Sequence, residues 1–165
     1  MLPEVGAIAP TFTLLNEERE PLNLQEVLKS GPALLAFMPA AFSRVCTLEV
    51  CTLRDGFDEF SSLGVTILGI TTDTFFSLKA WRVMQKINFP LLSDFNKEVI
   101  AKYGVLDDDL YGMRGTAKRA LFLIDQKGII RYREVSADVR LEPDYSKLKD
   151  AIRALRIERI TNEKS

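Results

Sequence analysis

Apolar and polar positions divide this chain into short segments of two different periods. Ala33 to Phe37 (ALLAF) and Val65 to Ile70 (VTILGI) are continuous apolar runs, the pattern of strands buried on both faces. After Cys46 the apolar positions Val50, Leu53, Phe57 and Phe60 recur with a 3.6-residue period, which predicts one helix with Cys46 in or near its first turn and Gly64 at its stop. A second helix is predicted from about Thr74 to Lys86, capped by Thr72 or Asp73, with Leu78, Trp81, Met84 and Ile87 on one face. Two strand–helix units in succession imply a parallel centre to the sheet.

The flanking segments fill in the architecture. Thr11 to Leu15 and Pro21 to Leu24 read as a hairpin about the polar turn Asn16 to Glu20, and Leu24 to Ser30 as a helical turn ended by Gly31 and Pro32. Phe89 to Leu92 is a short strand candidate, and Asn96 to Tyr103 a short helix closed by Gly104. Val105 to Lys118 lacks a period and reads as a surface loop. Ala120 to Ile124 and Ile129 to Arg133 form a hairpin about Asp125–Gly128. A last helix begins near Asp144, with Tyr145, Leu148, Ile152 and Leu155 at helical offsets, and Thr161 to Ser165 reads as frayed. This order is that of an α/β thioredoxin-like sandwich with a mixed central sheet, an N-terminal hairpin and insertions.

Length changes the picture little: 165 residues fit one domain, 1–165, with a single core. A net charge of −1 with interspersed signs carries no footprint of nucleic acid or an anionic membrane. No window approaches a membrane span, and MLPEVGAIAP lacks the basic and apolar parts of a secretory signal, so a cytoplasmic location is expected.

Cysteine and histidine counts bound the chemistry. Two cysteines and no histidine make a zinc site or a Cys–His acyl-transfer site poor readings, and no metal or cofactor is expected. A thiol at a helix start sits beside unpaired N–H groups and the positive end of the helix dipole, which favour a charged sulfur. Cys46 is therefore the candidate nucleophile.

Pro39, Ser43 and Cys46 match the Pro-x-x-x-Thr/Ser-x-x-Cys signature, and the chain resembles the peroxiredoxins from about Val5 to about Glu134. Thr47, Glu49, Cys51, Arg54 and Asp55 are similar to the subgroup called peroxiredoxin Q or bacterioferritin comigratory protein. The resemblance implies a thiol-dependent peroxidase acting on hydrogen peroxide and organic hydroperoxides. Cys46 would be peroxidatic, Cys51 resolving, and a thioredoxin or similar dithiol the reductant, in a monomer or homodimer. It further implies that Pro39 shapes the loop and shields the sulfur, that Ser43 places a hydroxyl beside it, and that Arg119 reaches it. Without the motif, Arg119 would read as a solvated basic residue and Ser43 as an ordinary cap or turn residue. Main-chain N–H groups of Val45 and Cys46 would complete the pocket, with Glu49 orienting an arginine.

Five residues along an α-helix, two Cα atoms stand roughly 8–9 Å apart and turned about 140° from each other. A disulfide needs about 7 Å or less. If Cys51 resolves Cys46, the helix must first unwind. Two alternatives stay open: an external thiol resolves Cys46, or the protein is a redox sensor that passes oxidation to a partner. A thioredoxin-type reductase lacks its Cys-x-x-Cys here.

Overall fold

The computed structural model describes residues 1–165. Strands β1 (Thr13–Asn16) and β2 (Pro21–Asn23) form the N-terminal hairpin and lead into helix α1 (Leu24–Leu28), whose cap Asn23 accepts from the Glu26 N–H. Strand β3 (Ala33–Phe37) feeds α2 (Arg44–Asp55) and α3 (Phe57–Ser62), and β4 (Thr66–Thr71) feeds α4 (Phe75–Gln85). Then come β5 (Leu91–Ser93), α5 (Glu98–Lys102), and a ribbon of β6 (Leu106–Asp107) with β7 (Thr116–Ala117). Strands β8 (Ala120–Ile124) and β9 (Ile130–Val135) and the helix α6 (Tyr145–Glu163) follow.

Seven strands make one mixed sheet in the order β2-β1-β5-β4-β3-β8-β9. The centre, β3-β4-β5, is parallel, while β1, β8 and β9 run antiparallel to their neighbours. This is the mixed thioredoxin-like sheet that the alternation of strand and helix patterns predicts. Period-2 side-chain alternation splits the apolar strands between two layers. Ala33, Leu35 and Phe37 face a core shared with α1 and α5, while Leu34 and Ala36 face one shared with α2, α4 and α6. Cys46, Val50 and Leu53 of α2 and Leu78 and Trp81 of α4 are fully buried in that second layer. Each such aliphatic side chain contributes about 1.5–3 kcal/mol relative to exposure, which holds α2 flat against the sheet.

Several sequence expectations are corrected. The helix after Cys46 is two helices, broken at Gly56, which ends α2 and caps α3. Glycine costs a helix about 1 kcal/mol, and the apolar spacing carries on across the break, so periodicity alone does not reveal it. The cap of α4 is Thr74, which accepts from the Ser77 N–H, and not Thr72 or Asp73. Met84 points outward at 67% exposure, whereas Leu78, Trp81 and Ile87 are buried. Within Val105 to Lys118 lies the β6–β7 ribbon, paired Leu106 to Ala117 and Asp107 to Thr116. Two-residue strands are too short to show an alternation. The last helix runs through Thr161 to Glu163, further than the reading of a frayed end allowed.

Candidate active site

The loop between β3 and α2 is fastened at its base and in its middle. Met38 N–H continues the ladder by donating to the Ile70 carbonyl, and Pro39 is buried. At Ala41 the main-chain N–H donates to Asp73 Oδ2 at 2.8 Å, and Thr71 Oγ1 donates to the same oxygen at 2.7 Å. Phe42 holds a left-handed φ of 68°, unusual for a non-glycine residue, with its half-exposed ring 6.4 Å from that of Trp81. The chain then turns into α2 at Ser43.

Ser43 occupies the cap position without capping. Its hydroxyl donates to the Ala40 carbonyl at 2.8 Å, and no side chain bonds the first-turn N–H groups. The N–H groups of Val45 and Cys46 have no protein acceptor. Two main-chain donors at the positive end of a twelve-residue helix thus stand free beside a completely buried cysteine, with the helix dipole favouring negative charge there.

Strand register delivers the charge partner. Strand β8 pairs antiparallel with β3, with Phe37 opposite Ala120, so Arg119 lies one residue beyond the point where the cysteine loop leaves the sheet. Arg119 is buried, 2% exposed. Its Nη2 donates to Cys46 Sγ at 3.4 Å, its Nη1 to Glu49 Oε2 at 2.7 Å, and Nε and Nη2 both donate to the Val139 carbonyl at 3.2 and 2.9 Å. A planar fork held at three places has little freedom to leave the sulfur.

Glu49 lies one helical turn after Cys46, completely buried, with Oε1 lacking any partner. Burial pushes its carboxyl up to about 7, against the opposing pull of the Arg119 charge and hydrogen bond. For Arg119, burial works against the charged form, but the neighbouring Cys46 and Glu49 outweigh it and raise its pKa. The guanidinium therefore stays positive. No group of three or more cysteine, aspartate or glutamate side chains comes together as a metal-binding set.

Cys51 is apart from this cluster. Both cysteines are unbonded, α2 is unbroken between them, and the half-buried Cys51 lies against α4, with its thiol 3.6 Å from Gln85 Oε1. The structure thus brings together Pro39, Ser43, Val45, Cys46, Glu49 and Arg119 around one loop and helix start, and leaves Cys51 outside. Two contributors escaped the sequence reading. From the sequence Asp73 is only a cap candidate, though Thr-x-Asp at a strand end is a signal for a turn. The Val139 carbonyl has no sequence signal at all.

A thioredoxin-like sheet with an uncapped helix start, a buried cysteine and a guanidinium on its sulfur defines a thiol-based redox enzyme. Residues 5–133 match the AhpC/TSA family, and the chain belongs to that family. A relative named putative peroxiredoxin bcp, from Coxiella burnetii, is 37% identical over 129 residues, 77% of this chain and 85% of that one. The chloroplastic 2-cysteine peroxiredoxin of Chattonella marina is 35% identical over 142 residues, 80% of this chain and 70% of that one. The solved structure of peroxidoxin BcpB from Mycobacterium tuberculosis superposes with a TM-score of 0.82 at 30% identity, covering 91% of this chain and 96% of that one. The protein is a thiol-dependent peroxidase, with a peroxide as substrate and a thiol as reductant. No helix is long and apolar enough to cross a membrane.

Proposed function

We propose that Cys46 is the peroxidatic nucleophile and Cys51 its resolving partner, in a one-domain cytoplasmic enzyme, monomeric or homodimeric, regenerated by a thioredoxin-like dithiol. Its substrates are hydrogen peroxide and organic hydroperoxides. The observation that carries the reading is the 3.4 Å contact of Arg119 Nη2 with Cys46 Sγ at the free start of α2.

In the first step the Cys46 thiolate attacks the nearer peroxide oxygen. The O–O bond breaks, a sulfenic acid forms, and the leaving oxygen takes a proton to depart as water or an alcohol. Charge developing on that oxygen meets donors already in place, the N–H groups of Val45 and Cys46 and the Arg119 fork. Ser43 has spent its O–H on the Ala40 carbonyl, so its oxygen is left to accept from the peroxide O–H. Pro39 shields the sulfur, and Glu49 orients Arg119.

In the second step the Cys51 sulfur attacks the sulfenic sulfur. The S–O bond breaks, the S–S bond forms, and water leaves; exchange with the dithiol donor then restores both thiols. An intact α2 forbids the bond, because residues five apart stand roughly 8–9 Å apart at Cα. Unwinding from Ser43 to Cys51 would release Cys46 and Val50 from the core, with about 2 kcal/mol for the Val50 side chain alone, so the new S–S bond has to offset a sizeable part of a typical domain stability of about 5–15 kcal/mol.

The intact helix favours one competing reading, in which an external thiol resolves Cys46. Intact mass after one equivalent of peroxide separates the two. Loss of two hydrogens supports the internal disulfide, whereas a stable added oxygen or a thiol adduct supports the competitor. A Cys46→Ser variant that reacts with peroxide as fast as wild type would overturn both.

A further inference from the structure

Cys51 is gripped by the end of the neighbouring helix. Its S–H donates to Gln85 Oε1 at 3.6 Å, and Gln85 is the last residue of α4. The Gln85 main-chain carbonyl, one of those a helix leaves without an internal partner, accepts from Arg54 Nη1 at 2.6 Å. Asn88 Nδ2 donates in return to the Arg54 carbonyl at the end of α2, at 3.3 Å. Lys86 makes the exchange geometrically feasible by taking a left-handed φ of 51° directly after α4, which turns the chain back toward α2.

These contacts divide α2 at Cys51. The Arg54 turn is anchored through main-chain groups on both helices, and Leu53 is buried beside it, so this end can stay in place while the start unwinds. Only one side-chain acceptor, Gln85 Oε1, restrains the residue that has to move.

We propose that Gln85 is a positioning residue that retains Cys51 in the helix, and thereby sets how fast the Cys46 sulfenic acid is resolved and how readily it is over-oxidised. This rests on the reading of Cys51 as the resolving cysteine. Two fates compete at the sulfenic acid. In one, Cys51 leaves Gln85 and forms the disulfide with loss of water. In the other, the sulfenic sulfur attacks a second peroxide, whose O–O bond breaks, giving a sulfinic acid and water or an alcohol. Retention of Cys51 by Gln85 slows the first fate and leaves the second untouched.

The test uses the reduced full chain and two variants. Gln85→Ala removes the acceptor but keeps the main-chain carbonyl that holds Arg54, and alanine is the best helix former, so the fold is preserved. Gln85→Glu keeps an acceptor oxygen. Rapid mixing with hydrogen peroxide measures the oxidation and resolution steps separately, and intact mass gives the fraction of sulfinic acid against peroxide concentration. Loss of one weak hydrogen bond should speed resolution about three- to tenfold in Gln85→Ala and raise the peroxide concentration for half over-oxidation by the same factor. Its Cys46 oxidation rate should match wild type, and Gln85→Glu, whose carboxylate accepts more strongly and opposes a thiolate at Cys51, should resolve no faster than wild type. Equal resolution in wild type and Gln85→Ala would overturn the role of Gln85 alone, as would a matching change in the Cys46 oxidation rate, which would mean a general loosening of α2. A wild-type protein that forms no internal disulfide would overturn the Cys51 reading and this role with it.

Discussion

Arg119 Nη2 lies 3.4 Å from Cys46 Sγ, although 73 residues separate the two in the chain. Antiparallel pairing of β3 with β8 makes the approach, and Glu49 with the Val139 carbonyl fixes its angle. A lysine ammonium in place of this guanidinium could reach one of the three partners but not span them. Arg119→Lys should therefore slow reaction of the reduced protein with hydrogen peroxide about 100- to 1,000-fold, the usual loss for a preorganised donor. Stopped-flow oxidation measures it, and a rate equal to wild type would remove Arg119 from the chemistry.

The Glu49 carboxyl makes stability depend on pH. Burial, opposed by Arg119 and aided by the charges of Glu142 and Glu134, raises it from 4.5 to about 7. The folded protein therefore holds this proton more tightly than the unfolded chain does. Stability from this group is fully present below pH 4.5 and is lost as pH rises through about 7. The slope between is at most about 1.4 kcal/mol per pH unit. Urea melts of wild type and Glu49→Gln should show the wild type losing stability relative to the variant over that window. A difference that stays constant with pH would contradict the assignment.

Asp73 holds the cysteine loop from outside it. Asp73→Ala leaves the Ala41 N–H and the Thr71 hydroxyl without their acceptor, at a cost of about 1–3 kcal/mol for each donor that water cannot reach. With the loop free to shift, the peroxide reaction should also slow by about tenfold, since small misplacements of reacting groups are costly. Thermal melts and oxidation rates on one preparation check both. Unchanged rates with a lowered melting temperature would make Asp73 purely structural.

Trp81 is the single tryptophan, and its Nε1 donates to Thr47 Oγ1 at 3.3 Å, across from α4 to the start of α2. Unwinding of α2 breaks this contact, so its emission should change in two phases after peroxide, first on sulfenic acid formation and then on disulfide formation. Cys51→Ser should keep the first phase and lose the second. A second phase that persists in Cys51→Ser would assign the unwinding to something other than the disulfide.

Much of the site was legible because it is local. Pro39, Ser43 and Cys46 lie within eight positions, and the helical spacing of Val50 and Leu53 after Cys46 places the thiol on the buried face at the helix start. The break at Gly56 and the β6–β7 ribbon were not legible, the first because Phe57 and Phe60 keep the period across it, the second because its strands are two residues long. Asp73, Gln85 and the Val139 carbonyl were hidden for another reason. Each acts on a segment 20 or more residues away, and a main-chain carbonyl is the same in every residue.

By itself the sequence determines the alternating strands and helices, a thiol heading one helix, and a chain without histidine. Those properties depend on residues a few positions apart, where periodicity and helix polarity act. Folding in three dimensions decides that Arg119 meets the sulfur, that Glu49 loses its water and becomes hard to ionise, and that Cys51 lies against Gln85. Strand register, desolvation and contacts between helix ends arise only between distant segments, so no local pattern encodes them.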